Sequence, residues 1–213
     1  MNTTLEYSPE AVTDPVERTD EQLLTAYRDG GDSEAFETLV HRYERELFSY
    51  LRRYVGSEAV AEDVFQQAFL QVHLKCDQFE KGRRFRPWLY TIATNQAIDY
   101  QRRNKRHRMA SLDRGRRASD DAGGNLGETL VSGAVEAGVQ IEANEQHEAV
   151  RKAVAELPEQ YQQVVLLVYF QGMKYREAAE VLGIPVGTVK SRLHAAITKL
   201  SDDWPHPDPT GAP

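Results

Sequence analysis

The side chains best placed to do chemistry in this chain are cations and rings set close together. From Lys81 to Arg108 the sequence reads KGRRFRPWLYTIATNQAIDYQRRNKRHR, with nine Lys/Arg against one acid, Asp99, and with Phe85, Trp88, Tyr90 and Tyr100 interleaved. The chemistry on offer is non-covalent. Lys and Arg neutralise phosphates and release counterions whatever the base sequence, and unpaired bases stack on exposed rings for about 1–3 kcal/mol each. A basic helix with a ring and amides on its polar face suits opened DNA better than closed duplex. At helical spacing Trp88, Leu89, Ile92, Ala93, Ala97 and Tyr100 share one face, and Tyr90, Thr91, Thr94, Asn95, Gln101 and Arg102 the other. Trp88 and Tyr100 fit core packing. Tyr90, Asn95 and the Lys81–Phe85 loop are open to two readings, base contact or a solvated basic surface.

A second cluster lies near the C-terminus. In KYREAAEVLGIPVGTVKSRLHAAITKL, Tyr175–Leu182 supplies a first helix, Gly183 a residue able to turn left-handed at its end, and Pro185 the start of a second helix. Val186, Val189, Leu193, Ala196, Ile197 and Leu200 form the expected buried stripe, so Gly187, Thr188, Ser191 and Ala195 point outward, flanked by Lys190 and Arg192. Small outward residues near a helix N-terminus let it sit deep in a major groove, where Thr and Ser reach base edges and the cations hold phosphates. The plainer alternative is a helical hairpin packed on protein.

Other chemistries find little support. His41, His73, His107, His147, His194 and His206 show no ligand spacing with Cys or acids, so no metal is expected. No Ser/His/Asp set and no phosphate-cradling glycine loop stands out, and neither a catalytic residue nor a cofactor is expected. The 213 residues carry a formal net charge of -7, so the chain is not a globally basic DNA-coating protein. Charge is segregated: residues 1–50 hold twelve acids against four bases, and 109–150 eight against three. Cys76 is alone, which excludes an internal disulfide and suits a reducing compartment. With no apolar run long enough for a bilayer and no signal-peptide pattern, the expected location is the cytoplasm, without membrane insertion.

These residues need helices to position them. Residues 1–18, with Pro9 and Pro15, read as a disordered leader. Thr19 or Asp20 caps a short helix that Gly30 and Gly31 stop; Asp32 or Ser33 caps a second, with Phe36, Leu39, Val40, Tyr43, Leu47, Leu51 and Tyr54 in register up to Gly56. Ser57 opens a third through Val60, Ala61, Val64, Phe65, Ala68, Phe69 and Val72. With the Trp88 helix these predict an all-helical domain over 19–108. Periodicity then vanishes, and 109–144 reads as a flexible acidic linker; the 40 residues from Arg108 to Glu148 have a flexible span of roughly 35 Å and an extended reach of about 130 Å. Two DNA turns, about 70 Å, lie within that reach. A second helical unit spans 145–201, with Val150, Val154 and Leu157 in register, Pro158 in the first turn of the next helix, and that helix running to Gly172. Residues 202–213 read as a frayed tail. The fold class is all-α, two small helical domains, the second ending in a helix-turn-helix.

At this point the chain resembles a known family, the extracytoplasmic-function (ECF) sigma factors of bacterial RNA polymerase. Its first domain is similar at AFETLVHRYERELFSYLRRYV, AEDVFQQAFLQVH and FRPWLYTIATNQAIDYQRR, its second at LPEQYQQVVLLVYFQGMKYREAAEVLGIPVGTVKSRLHAA. The resemblance implies a promoter-specificity subunit that binds core RNA polymerase and promoter DNA, duplex and opened strand, with an anti-sigma factor as a further partner. It implies polymerase docking through Asp63, Gln66, Gln67 and Phe69. It implies capture of the minus-ten strand by Phe79, Arg83, Arg84, Phe85, Trp88, Tyr90, Asn95, Arg102 and Arg103. Duplex reading of the minus-thirty-five element falls to Gly187, Thr188, Lys190, Ser191 and Arg192. Gln67 stands where the family usually has Glu, and His73 where an aromatic is common.

The reading from another class is an autonomous transcriptional regulator that holds duplex DNA as a dimer. It uses the same helix-turn-helix but has no need of a second basic, aromatic-bearing helix, and no heptad seam for a dimer is seen. A nucleic-acid enzyme lacks clustered acids at metal-ligand spacing.

Overall fold

The computed structural model of the protein describes residues 18–115 and 149–202, the side chains of 107–115 excepted. Helix α1 (Asp20–Gly30) starts where its free amides find acceptors: Thr19 Oγ1 accepts from Gln22 N–H at 3.3 Å and Gln22 Oε1 from Thr19 N–H at 2.9 Å. It stops at Gly31, whose φ of 68° is open to glycine without a Cβ penalty. Asp32 caps α2 (Ser33–Val55), accepting from Ala35 N–H at 3.1 Å. Leu39, Tyr43, Leu47, Tyr50, Leu51 and Tyr54 form its buried stripe. Helix α3 (Glu58–Lys75) adds Ala61, Val64, Ala68, Phe69 and Val72 to the same core.

A 3-10 turn (Cys76–Gln78) and a loop over 79–84 lead into α4 (Phe85–Gly115). Glu21 of α1 accepts from Phe85 N–H at 2.9 Å, so an acid from the first helix anchors the start of the basic one and faces its positive dipole end. The second unit comprises α5 (149–156), α6 (Glu159–Val165) with a π-helical turn (Leu166–Phe170), α7 (Tyr175–Leu182) and α8 (Val186–Asp202). Leu157, Val164, Leu166, Leu167, Ala178, Val181, Val189, Leu193 and Ala196 fill its interior. The two units touch: α4 lies against α2 and α3 on one side and α7 on the other, and the π turn meets α2. One apolar cluster runs through both.

Several expectations need correction. Tyr90 and Thr94, expected on the outward face of the basic helix, are 0 % and 1 % exposed. Helix α4 is covered from two sides, so its first turns have hardly any outward face. Tyr100, expected within the packed face, does pack against the core but at its edge, half-buried. The basic helix runs to Gly115 rather than ending near 108, because local helical order outlasts the apolar periodicity. Pro158 is the N-cap (ψ 138°), outside the first turn where it was expected. The helix after it widens at Leu166, with Gln171 N–H bonding Leu166 O at 3.0 Å, an i→i+5 step that redirects Phe170 and Gln171. Ile197 and Val150, expected inside, are 41 % and 38 % exposed. The expected leader, the body of the acidic linker and the tail lie outside the described residues.

Candidate nucleic-acid interface

The loop before α4 sits on an aromatic floor. Phe79 and Trp88 rings lie 5.0 Å apart, Phe85 and Trp88 6.0 Å, and Tyr43 and Phe85 5.5 Å, mostly tilted or edge-on as ring quadrupoles favour. Phe79, Phe85 and Trp88 are buried, so they hold the loop's shape from below. Arg28 fixes the loop's start, its Nη1 donating to Phe79 O at 3.3 Å, and Gly82 turns it at φ 86°. A cleft of about 550 Å³ opens beside the loop, with Tyr43, Gly82, Arg83, Arg84 and Arg86 around it and Glu177 of α7 at its edge.

The loop cations are engaged across the boundary between the units. Arg84 Nη1 meets Glu177 Oε1 at 2.6 Å, and Arg83 Nε donates to Glu180 Oε1 at 3.1 Å. Glu177 also accepts from Lys174 N–H at 2.9 Å through Oε2, so one carboxylate caps α7 and binds Arg84. Deeper in, Arg86 donates to Glu46 Oε1 and, at 2.7 Å, to Gln171 O. Tyr90 Oη faces the same Glu46 oxygen at 2.6 Å and Gln171 Oε1 at 2.8 Å. Burial, then Glu46, pushes the Tyr90 phenol well above its usual range. Burial works against the charge of Arg86, but the hydrogen bond and field of Glu46 outweigh it and raise its pKa.

Beyond this buried half, α4 comes free of cover. Asn95, Arg102 and Arg103 are exposed, with Asn104, Lys105 and Arg106 following. That stretch is a cationic rod suited to a phosphate backbone.

In the second unit, Gly183 (φ 63°) ends α7, and Pro185 O accepts from Thr188 and Val189 N–H at 2.9 and 3.1 Å to start α8. Val189, Leu193 and Ala196 face inward; Gly187, Lys190 and Ser191 are exposed, and Thr188 and Arg192 half-buried. Ser191 Oγ donates to Thr188 O at 3.1 Å, and Lys190 Nζ lies 6.0 Å from the Tyr175 ring centroid.

On α3, Asp63, Gln66 and Gln67 are exposed while Phe69 is buried and packs edge-on against Phe36. Sequence reasoning passed over Leu70 and Leu74, which continue that exposed face at 46 % and 60 %. Their i, i+4 spacing outside the buried stripe was the available signal. It also passed over Glu46, Gln171, Glu177 and Glu180. No local signal marks these, since Arg84 and Arg83 are 93 and 97 residues from their partners. Among the described residues no three His, Cys, Asp or Glu side chains come together as a metal site, and no helix is long and apolar enough to cross a membrane.

The family profile for sigma-70 region 2 matches residues 39–107, and that for sigma-70 region 4 matches 147–200. The chain is 33% identical over 168 residues to the ECF RNA polymerase sigma factor SigW of Bacillus subtilis, covering 77% of this chain and 86% of the relative. It is 32% identical over 181 residues to the ECF RNA polymerase sigma-E factor of Escherichia coli K12, covering 84% and 92%. Among solved structures it resembles CnrH in complex with the cytosolic domain of CnrY, with a TM-score of 0.60 and 26% identity over 86% of this chain and 95% of that one.

Proposed function

The chain belongs to the ECF RNA polymerase sigma factors, and from that footing we propose how its two helical units divide the finding and opening of a promoter. It directs core polymerase to specific promoters and helps open them for initiation. The first unit, 19–108, docks on the polymerase through the exposed α3 face (Asp63, Gln66, Gln67, with Leu70 and Leu74) and takes up the opened minus-ten strand. Arg102, Arg103 and Asn95 bind that strand directly. Phe79, Phe85 and Trp88 support the loop from beneath, while Arg83, Arg84 and Tyr90 serve once their partners across the boundary release them. The second unit, 145–201, reads minus-thirty-five duplex through Gly187, Thr188, Lys190, Ser191 and Arg192, and the stretch that follows α4 joins the two as a tether.

The observation that best supports this division is the pairing of an outward α8 face, small residues ringed by cations, with a separate exposed cationic rod on α4. A duplex reader alone needs only the first. Stacking and phosphate contacts offset the few kcal/mol needed to unpair and unstack each base, so opening requires no nucleotide hydrolysis by this chain, and the polymerase core carries out the chemistry. Such a factor works in the bacterial cytoplasm without membrane insertion. CnrH is in complex with the cytosolic domain of CnrY; by likeness this chain takes a protein partner, and the family resemblance makes that partner an anti-sigma factor.

Run-off transcription on genomic fragments with purified core polymerase tests the proposal: new start sites should appear only when this chain is added. Gel shifts separate it from an autonomous regulator, which would hold its operator tightly without polymerase. No new transcripts, or tight operator binding by the chain alone, overturns the reading.

A further inference from the structure

Resting on the promoter reading, we infer that α1 is a positioning element for strand capture: Glu21 and Arg28 grip the two feet of the loop over 79–84 and hold it in the shape that receives the opened strand. Helix α1 need not touch DNA to do this.

Both grips reach loop backbone. Arg28 Nη1 donates to Phe79 O at 3.3 Å, where the chain leaves the 3-10 turn, and Glu21 Oε1 accepts from Phe85 N–H at 2.9 Å, where it enters α4. Seven residues separate Glu21 from Arg28, so the two project from one face of α1, two turns or about 10 Å apart along its axis. The six chain steps from Phe79 to Phe85 would reach about 20 Å if extended. Grips at roughly half that spacing keep the loop bowed. Gly82, at φ 86°, and the bond from Arg83 N–H to Glu80 O at 3.2 Å close the bow.

The grips are themselves fixed. Asp29 accepts from Arg28 Nε at 2.7 Å and from Nη2 at 3.2 Å, a forked pair that leaves Nη1 aimed at the loop. Beside Glu21, Asp20 accepts from Arg42 at 2.9 Å and from Tyr43 Oη at 2.5 Å, both on α2. Leu23 and Leu24 are buried, and the Tyr27 and Phe36 rings lie 4.5 Å apart. Helix α1 is thus seated on its neighbours through side chains other than the two that hold the loop.

The aromatic floor of Phe79, Phe85 and Trp88 cannot do the same work. Apolar burial is non-directional, so the floor sets how deep the loop sits and leaves the path of its backbone open. Hydrogen bonds to a carbonyl and an amide are directional, and they fix that path, and with it the stems from which Arg83 and Arg84 project. A loop ordered before the strand arrives loses less conformational freedom on binding, so affinity and base discrimination both gain.

The test uses the full-length chain, alone and as holoenzyme with purified core polymerase. Glu21→Ala and Arg28→Met each remove one grip. Glu21→Gln keeps an oxygen that can accept from Phe85 N–H, and Thr25→Val removes a hydroxyl whose bond, to Glu21 O at 2.7 Å, stays within α1. Amide exchange followed by NMR on the chain alone reads the loop. The probe for the holoenzyme is a DNA duplex library with an unpaired internal segment of randomised bases, whose bound fraction is sequenced. Glu21→Ala should speed exchange at Phe85 roughly threefold to tenfold and weaken holoenzyme binding to the library by a similar factor, with base enrichment in the unpaired segment flattened. Arg28→Met should flatten that enrichment too, whereas Glu21→Gln and Thr25→Val should match wild type in both exchange and enrichment. A purely structural role would lower the melting temperature of Glu21→Ala and Arg28→Met and leave the enriched bases unchanged. That outcome, or unchanged exchange at Phe85 in Glu21→Ala, overturns the inference. Wild-type holoenzyme that enriches no bases strikes the promoter reading instead, and the exchange result then judges by itself whether α1 holds the loop.

Discussion

Tyr90 Oη and Gln171 Oε1 lie 2.8 Å apart, and this bond ties the first turns of the basic helix to the segment that leads into the helix-turn-helix. The phenol also meets Glu46 at 2.6 Å. Tyr90→Phe leaves the buried Gln171 oxygen without this donor, while Glu46 keeps its bonds from Arg86, and it should cost about 1–3 kcal/mol. Urea unfolding of the full chain measures this; an unchanged midpoint would show that water replaces the hydroxyl at no cost.

Four tyrosines tie stability to alkaline pH. Tyr43, Tyr50, Tyr54 and Tyr90 are all shifted above the ordinary 10.0, burial being the first cause in each, with Asp20 reinforcing Tyr43 and Glu46 reinforcing Tyr90. A raised folded pKa means that the unfolded chain loses its protons first as pH rises. The contribution is therefore whole below pH about 10 and drains away above it. Phenolate absorbance of these four should rise together with loss of helical circular dichroism. Early ionisation in a folded chain would contradict the burial argument.

Leu74 is 60 % exposed beside Gln66, Gln67 and Leu70. Leu74→Ser should leave folding stability within about 0.5 kcal/mol yet weaken binding to core polymerase by roughly tenfold, the worth of one buried leucine side chain. A competition assay against a reference sigma factor reads the affinity. Equal competition by both forms would remove this face from the docking surface.

The two DNA-facing clusters should respond differently to single changes. Arg102→Ala, on the exposed part of α4, should weaken binding to opened DNA and reduce the salt slope by about one. Ser191→Ala should alter base preference in the upstream element and leave the salt slope nearly unchanged. Selection of promoters from a randomised upstream library reads the second effect; identical selected sequences from both proteins would take Ser191 out of base readout.

Gly183 has φ 63° and open space where a Cβ would stand. Gly183→Ala should cost about 1–2 kcal/mol through backbone strain alone, with duplex binding lost in proportion to unfolding. Thermal melts of the full chain test this; a neutral substitution would mean that the turn relaxes.

Local chemistry made much of this protein legible in its sequence. Thr19 and Gln22 announce a capping box, Asp32 a cap and Gly31 and Gly183 the left-handed stops, because each acts within four residues and needs no distant partner. The stripes Leu39–Tyr43–Leu47 and Val189–Leu193–Ala196 follow from helical period, as do the exposed Gly187, Lys190 and Ser191. Tertiary structure alone decided which face of α4 meets solvent. Tyr90 and Thr94 stand at polar-face positions by period, and they are buried because α2 supplies Tyr50 and Glu46 and a unit some eighty residues away supplies Gln171. The pairing of Arg83 and Arg84 with Glu180 and Glu177 is of the same kind. An acid and a base have no preferred partner in a linear chain, and only the docking of α7 on α4 determines which anion each loop arginine holds.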